Sequence, residues 1–200
     1  MCIRDRSSPK RPFNSTQDVV AYAKQNPGKL TFATFGPGTS SHLAGELFKE
    51  RAGIDILHVP FKGATQALPA LISGDVDLFF DMVATGMPQA DAGKVKVFAI
   101  TSPSRLATLP KLQTLAEEGY PAFDMTAWFS FVAPKGTPAP VLAKLQAALT
   151  ETLQDEAVKK RMLDMGIDPR SGTAAELDKQ VKTEQPIVSQ LIKQANIVLQ

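Results

Sequence analysis

An apolar run that ends at a glycine turn and passes into a helix occurs twice in succession in this chain, and that order narrows the fold more than any other feature. Residues 30–35 read as a buried strand, 36–39 as a turn containing Gly36 and Gly38, and 40–52 as a helix whose Leu43, Leu47 and Phe48 share a face before Gly53 stops it. The unit returns as a strand over 54–59, the turn Phe61-Lys62-Gly63, a helix over 64–73 stopped by Gly74, and a nearly all-apolar strand over 76–80. Strands separated by helices run parallel, and strands apolar on both faces need helices on both faces, so an α/β sheet is expected.

Around this unit, Ser15 caps a short helix with Asp18 three residues on, a helix follows Asp81 to about residue 92, and 95–100 is a further strand. A short helix over 112–118 and an extended segment over 123–132 come next. Beyond Trp128 the pattern changes to helices over 137–153, from Asp155 to 165, and over 173–195, the last expected to kink or split at Pro186. This divides the chain into a leader (1–8), one α/β lobe (9–127) and a helical part (128–200). Val141, Leu142, Leu145 and Leu149 form an apolar face that needs a sheet to cover, and none follows, so that sheet is expected upstream of Pro9.

With 44% hydrophobic and 21% charged residues among 200, the chain can bury a substantial core. Its formal charge of +2 arises from 22 basic and 20 acidic residues without runs, which argues against a nucleic-acid stripe or a polybasic membrane patch. No apolar stretch reaches the roughly 18 residues of a spanning helix, and the first residues lack the apolar core of a secretory signal. Residues 1–6, Met-Cys-Ile-Arg-Asp-Arg, show no helical or strand pattern and resemble a translated sequencing adapter. Setting them aside removes Cys2, the one cysteine, and a cysteine-free chain suits an oxidising compartment.

Chemistry concentrates at the strand-to-helix turns. The first-turn N–H groups of a helix point outward unpaired with the positive end of the helix dipole behind them, so the segment Gly36-Pro37-Gly38-Thr39-Ser40-Ser41-His42 can hold an anion. Thr39 or Ser40 can equally be a plain N-cap, and a dinucleotide fingerprint fails because Ser41 stands where its third glycine should. Lys62 and Gly63 repeat the geometry at the next strand end, and Asp81 sits at the same edge as a helix cap or a ligand acceptor. Ser41 and His42, adjacent on a helix, point apart and cannot act as nucleophile and base. His42 and Glu46 supply half a metal site at best, with His58 the one other histidine, so neither a metal nor a cofactor is expected. Trp128 and Phe129 line a crevice or belong to the core.

Several stretches taken together carry a resemblance: Asn26-Pro27-Gly28-Lys29-Leu30, the glycine turn through Leu47, His58-Val59-Pro60-Phe61-Lys62-Gly63, residues 74–81, 92–95 and 99–102, Trp128-Phe129, and Ala133-Pro134-Lys135-Gly136-Thr137-Pro138. In this order the chain resembles, over residues 9–200, the tripartite tricarboxylate transporter substrate-binding proteins, also called the Bug family. The resemblance implies a type II periplasmic-binding-protein fold, with one complete α/β lobe here and the C-terminal part of the other. It implies a periplasmic receptor rather than an enzyme, monomeric at full length, its signal peptide upstream. The receptor would capture a small organic carboxylate, such as a di- or tricarboxylate, and deliver it to membrane permease subunits, with no nucleic acid involved. Ligand contacts would come from Gly38, Thr39, Ser40, Ser41, His42, Lys62, Gly63 and Asp81. The family's first strand-to-helix loop, which grips the ligand from the opposite lobe, has no counterpart in this sequence.

Two other classes share the local features. An effector-sensing domain of a regulator would use the same fold, and a nucleotide-dependent α/β enzyme would place a phosphate on the turn at 36–41. Main-chain and water-mediated contacts leave little side-chain code, so the sequence does not identify the acid.

Overall fold

The computed structural model describes residues 3–7, as backbone, and 10–197. Its centre is a sheet of six strands: β1 (Ile3–Ser7), β2 (Thr31–Thr34), β3 (Leu57–Pro60), β4 (Leu78–Phe79), β5 (Asp81–Met82) and β6 (Lys96–Ile100). As expected from the strand–helix alternation, β3, β2 and β4 lie side by side and parallel, joined by α2 (Ser40–Ala52) and α3 (Ala64–Ser73). Side chains alternate between two cores. Phe32, Leu78 and Phe80 face one containing Val19, Leu43 and Phe48, while Ala33 and Phe79 face one containing Ala67 and Leu71. Both sheet faces are therefore apolar, which is why these strands read as continuous hydrophobic runs.

Helix bounds follow local signals. Ser15 caps α1 (Thr16–Gln25) by accepting from Asp18 N–H, and Thr39 caps α2 by accepting from His42 N–H. Gly53 and Gly74 close α2 and α3 in the left-handed conformation. After α4 (Val83–Asp91), three helices end the chain: α5 (Ala139–Gln154), α6 (Glu156–Asp164), capped by Asp155, and α7 (Ala174–Gln194), whose Thr173 and Glu176 form a reciprocal capping box.

The structure corrects four expectations. Residues 3–7, set aside as a leader outside the fold, form β1 and run antiparallel to β4, β5 and β6. Arg4 pairs with both Asp81 and Ile100, so β1 fills a slot between two strands whose backbone groups need partners on that side, a requirement no local pattern reveals. The sheet is thus mixed rather than wholly parallel. Residues 112–118 form turns rather than a helix, because Thr114 is held in a bridge to Ile100 and too little chain remains before Gly119. Finally, α7 continues unbroken through Pro186, an exposed position where water can take the carbonyl the proline leaves free.

Contacts also run across residue 128. Trp128 Nε1 donates to Glu184 of α7 at 2.8 Å, and Leu191 of α7 is buried in the main core with Val188 and Ile192 packed beside it. By contrast, Val141, Leu142 and Leu145 of α5 stay exposed. Residues 11–14, which lead into α1, are pinned by Lys96. Its Nζ donates to Phe13 O at 2.8 Å, Asn14 Oδ1 at 3.0 Å and Arg11 O at 3.4 Å. Lys96→Met should lower unfolding stability by about 1–2 kcal/mol in denaturant titration, since the stem still packs while the donors are lost.

Candidate functional site

The carboxyl ends of β2, β3 and β4 carry all the expected site residues on three connected turns. Gly36 and Gly38 adopt φ of 122° and 74°, backbone that side chains disfavour, and this lets the chain reverse within three residues before α2 begins. The β3–α3 turn lies alongside, since Phe61 N–H donates to Thr34 O at 3.1 Å and a methyl on Gly36 would sit 3.7 Å from Phe61 O. The third turn is tied in by Ser41, whose hydroxyl donates to Phe80 O at 2.5 Å.

Most side chains named from the sequence are engaged with the protein itself. Thr39 Oγ1 donates to Gly36 O at 2.7 Å while capping the helix. Ser41 is fully buried on Phe80. His42 is buried too, and its Nδ1 accepts the Gly38 N–H at 3.2 Å. Asp81 is buried and accepts from Met82 N–H at 2.7 Å and from Thr85 Oγ1 at 2.5 Å, while the N-cap of α4 is Met82 rather than Asp81. Lys62 is exposed, and its backbone N–H donates to Gln66 Oε1 at 3.3 Å.

What the turns leave available is main chain. Among the described residues, the N–H groups of Ser40 and Ser41 donate to no protein acceptor, and neither do those of Gly63, Ala64 and Thr65. Ser40 and its neighbours Thr39 and Gly38 are partly exposed, as are Gly63 and Ala64. Two helix N-termini with positive dipole ends thus lie on adjacent turns, one offering the Ser40 N–H, since Ser41 is fully buried, and the other those of Gly63, Ala64 and Thr65. A carboxylate matches them in charge and in acceptor count.

A feature no local reading could supply lies directly beneath. His42 and His58 stack, with ring centroids 3.7 Å apart and planes 14° from parallel. Phe32 packs 5.2 Å from His58, and Thr34 Oγ1 is 2.6 Å from His58 Nε2 while accepting the Gly36 N–H at 3.1 Å. His42 Nε2 lies 3.7 Å from Glu46, which also pairs with Lys49 at 3.0 Å. Burial works against the Glu46 charge, but His42 and Lys49 outweigh it and hold that carboxyl below its ordinary value. Burial pushes His58 down to about 4, helped by His42 and Lys49 and opposed by Glu46. Stacked rings meet face to face, so their lone pairs do not converge, and no group of three or more His, Cys, Asp or Glu among the described residues is placed to hold a metal ion.

Comparison with known proteins fits this arrangement. A family model described as "Tripartite tricarboxylate transporter family receptor" matches residues 6–197. A Pseudomonas sp. (strain P51) protein, the "UPF0065 protein in tcbD-tcbE intergenic region", is 35% identical over 173 residues, 86% of this chain and 52% of its own length. Among solved structures, R. palustris Rpa4515 with adipate superposes with a TM-score of 0.91 at 29% identity, covering 98% of this chain and 66% of that one. MatC (Rpa3494) from Rhodopseudomonas palustris with bound malate gives 0.84 at 30% identity, covering 96% and 66%. The chain spans about half the length of the curated relatives it matches.

Proposed function

This chain belongs to the tripartite tricarboxylate transporter receptor family, and from that premise we propose that it is part of a periplasmic receptor that captures a small organic carboxylate and presents it to the permease subunits of such a transporter. One observation carries the reading: the unpartnered, partly exposed N–H of Ser40 opens the 13-residue helix α2 beside a second open helix start at Gly63. Adipate and malate in two solved relatives support a dicarboxylate. A linear or branched diacid needs donors at both ends, and the turns described here form one such end.

The other end falls to the part of the family length that this chain does not span. The exposed Val141, Leu142 and Leu145 of α5 form the face on which that part would rest its sheet. Closure of the two parts around the acid would create the surface the permease recognises, since a ligand shifts a protein toward whichever state it binds better.

Calorimetric titration of a protein of full family length carrying this chain, with adipate, malate, citrate, amino acids and nucleotides, tests the proposal. Saturable heat with one or more of the carboxylic acids is expected. Heat with nucleotides alone would contradict it.

A further inference from the structure

From residue 128 to residue 190, Gly166 alone is buried, in the link between α6 and α7. It packs on Val83. A β-carbon on Gly166 would stand 2.2 Å from Val83 Cγ1, 2.4 Å from its Cβ and 3.1 Å from its Cγ2, so no side chain fits between them. Gly166 also closes α6 at φ 70°, its N–H donating to Leu163 O at 2.8 Å while Ile167 N–H donates to Met162 O at 2.8 Å. Asparagine can adopt that backbone too, but the contact with Val83 excludes any β-carbon.

Val83 is itself buried and opens α4, two residues after Asp81. The turn before it is tightly held. Asp81 accepts from Met82 N–H at 2.7 Å and from Thr85 Oγ1 at 2.5 Å, and that hydroxyl also lies 3.2 Å from Met82 O. Just upstream, Phe80 O accepts the Ser41 hydroxyl, which ties this turn to the start of α2. Packed and hydrogen-bonded groups therefore join Val83 to the turn that presents the Ser40 N–H, with no flexible loop between them.

We infer that Gly166 is a positioning residue for the ligand turns: its bare backbone is the seat on which the α6–α7 corner rests against Val83, and the missing side chain sets how closely the helical part approaches the carboxylate site. The ligand half of this statement rests on the carboxylate reading above. A side chain at 166 would push on the start of α4, and through Phe80 and Ser41 on the start of α2. Gly166 does not touch the ligand in this account, and its effect on binding passes entirely through Val83.

The test is a double-mutant cycle in the full-length protein, with adipate affinity from calorimetry and the melting temperature read side by side. Gly166→Ala should weaken adipate binding by roughly tenfold, within the range of coupling carried through packed residues. Adding Val83→Gly removes every atom the new β-carbon would strike, and should restore most of that affinity. The double variant should nevertheless melt below Gly166→Ala, since it has lost the buried valine methyls. Tighter binding in a less stable protein is an outcome that general destabilisation cannot produce. Unchanged affinity in a folded Gly166→Ala variant would overturn the seat, and so would a double variant that binds no better than Gly166→Ala, because the loss would then come from backbone strain at 166. Should Gly166→Ala not fold, Val83→Ile lengthens the side chain from the opposite side without touching residue 166; it should weaken binding likewise, and unchanged affinity overturns the seat. In the ligand-free wild type, NMR should show a nuclear Overhauser contact between the Gly166 Hα protons and a Val83 methyl, and its absence also overturns the seat. That contact, found in a protein that binds no carboxylate, would uphold the seat and overturn the carboxylate reading instead.

Discussion

Replacing Gly45 with alanine should destabilise the protein by about 1–3 kcal/mol, although the same change in an exposed helix interior stabilises by roughly 1 kcal/mol. Gly45 lies inside α2 against the sheet, and a β-carbon there would stand 2.1 Å from Phe32 Cε2 and 2.6 Å from Phe32 Cδ2. No real contact is that short, so either α2 lifts off the sheet or the ring turns. The ring has little room: Phe32 is fully buried, with Phe80 edge-on at 6.0 Å, His58 at 5.2 Å and His42 at 6.4 Å. Displacing it therefore disturbs the histidine pair under the glycine turn. Gly45→Ala should lower both the denaturant midpoint and carboxylate affinity, whereas a variant as stable as the wild type would show that α2 is packed less closely than described.

A second large effect is expected at Asp77, which ties three pieces of chain together at the opposite end of the sheet. Its Oδ2 accepts from Thr31 N–H at 2.8 Å and from Thr31 Oγ1 at 3.0 Å, its Oδ1 pairs with Arg11 Nε, and its own N–H donates to Thr31 Oγ1 at 3.1 Å. The residue is 3% exposed, so water cannot readily replace what is lost. Asp77→Ala strands the first N–H of β2 and removes the partner of Arg11, which together should cost about 2–4 kcal/mol. Asp77→Asn keeps an acceptor for Thr31 and loses only the charge, so chemical denaturation should place it between alanine and wild type. Equal losses for both variants would mean that the ion pair, not the Thr31 bonds, holds the corner.

These two positions illustrate which parts of the fold could be read in advance. The bounds of α2 and α3 agree with the sequence expectation at Ser40–Ala52 and Ala64–Ser73, because a cap at one end and glycine at the other act within a single turn. Nothing local distinguishes Gly45 from a helix-weakening glycine, since the reason for it is Phe32, thirteen positions earlier on another element. Likewise β1 exists because a slot waits between strands contributed by residues far along the chain. The glycine turn at 36–42 was legible as an anion-compatible helix start. That Ser41 would turn its side chain inward was not, because its partner Phe80 lies 39 positions along the chain on another turn. The histidine stack depends on the parallel register that sets Phe32 against His58 and on α2 lying across it.

The central claim is that main-chain N–H groups at the start of α2 hold the acid, and Ser40→Pro tests it most directly. Proline at the first helical position lacks only the N–H in question, fits the helix without strain, and suits the extended conformation of Thr39 before it, at φ −71° and ψ 159°. In calorimetric titration of the full-length protein, Ser40→Pro should leave the melting temperature within a few degrees of wild type and weaken dicarboxylate binding about 10- to 100-fold, the worth of one hydrogen bond to a charged group. Unchanged affinity in a folded Ser40→Pro variant would contradict the claim.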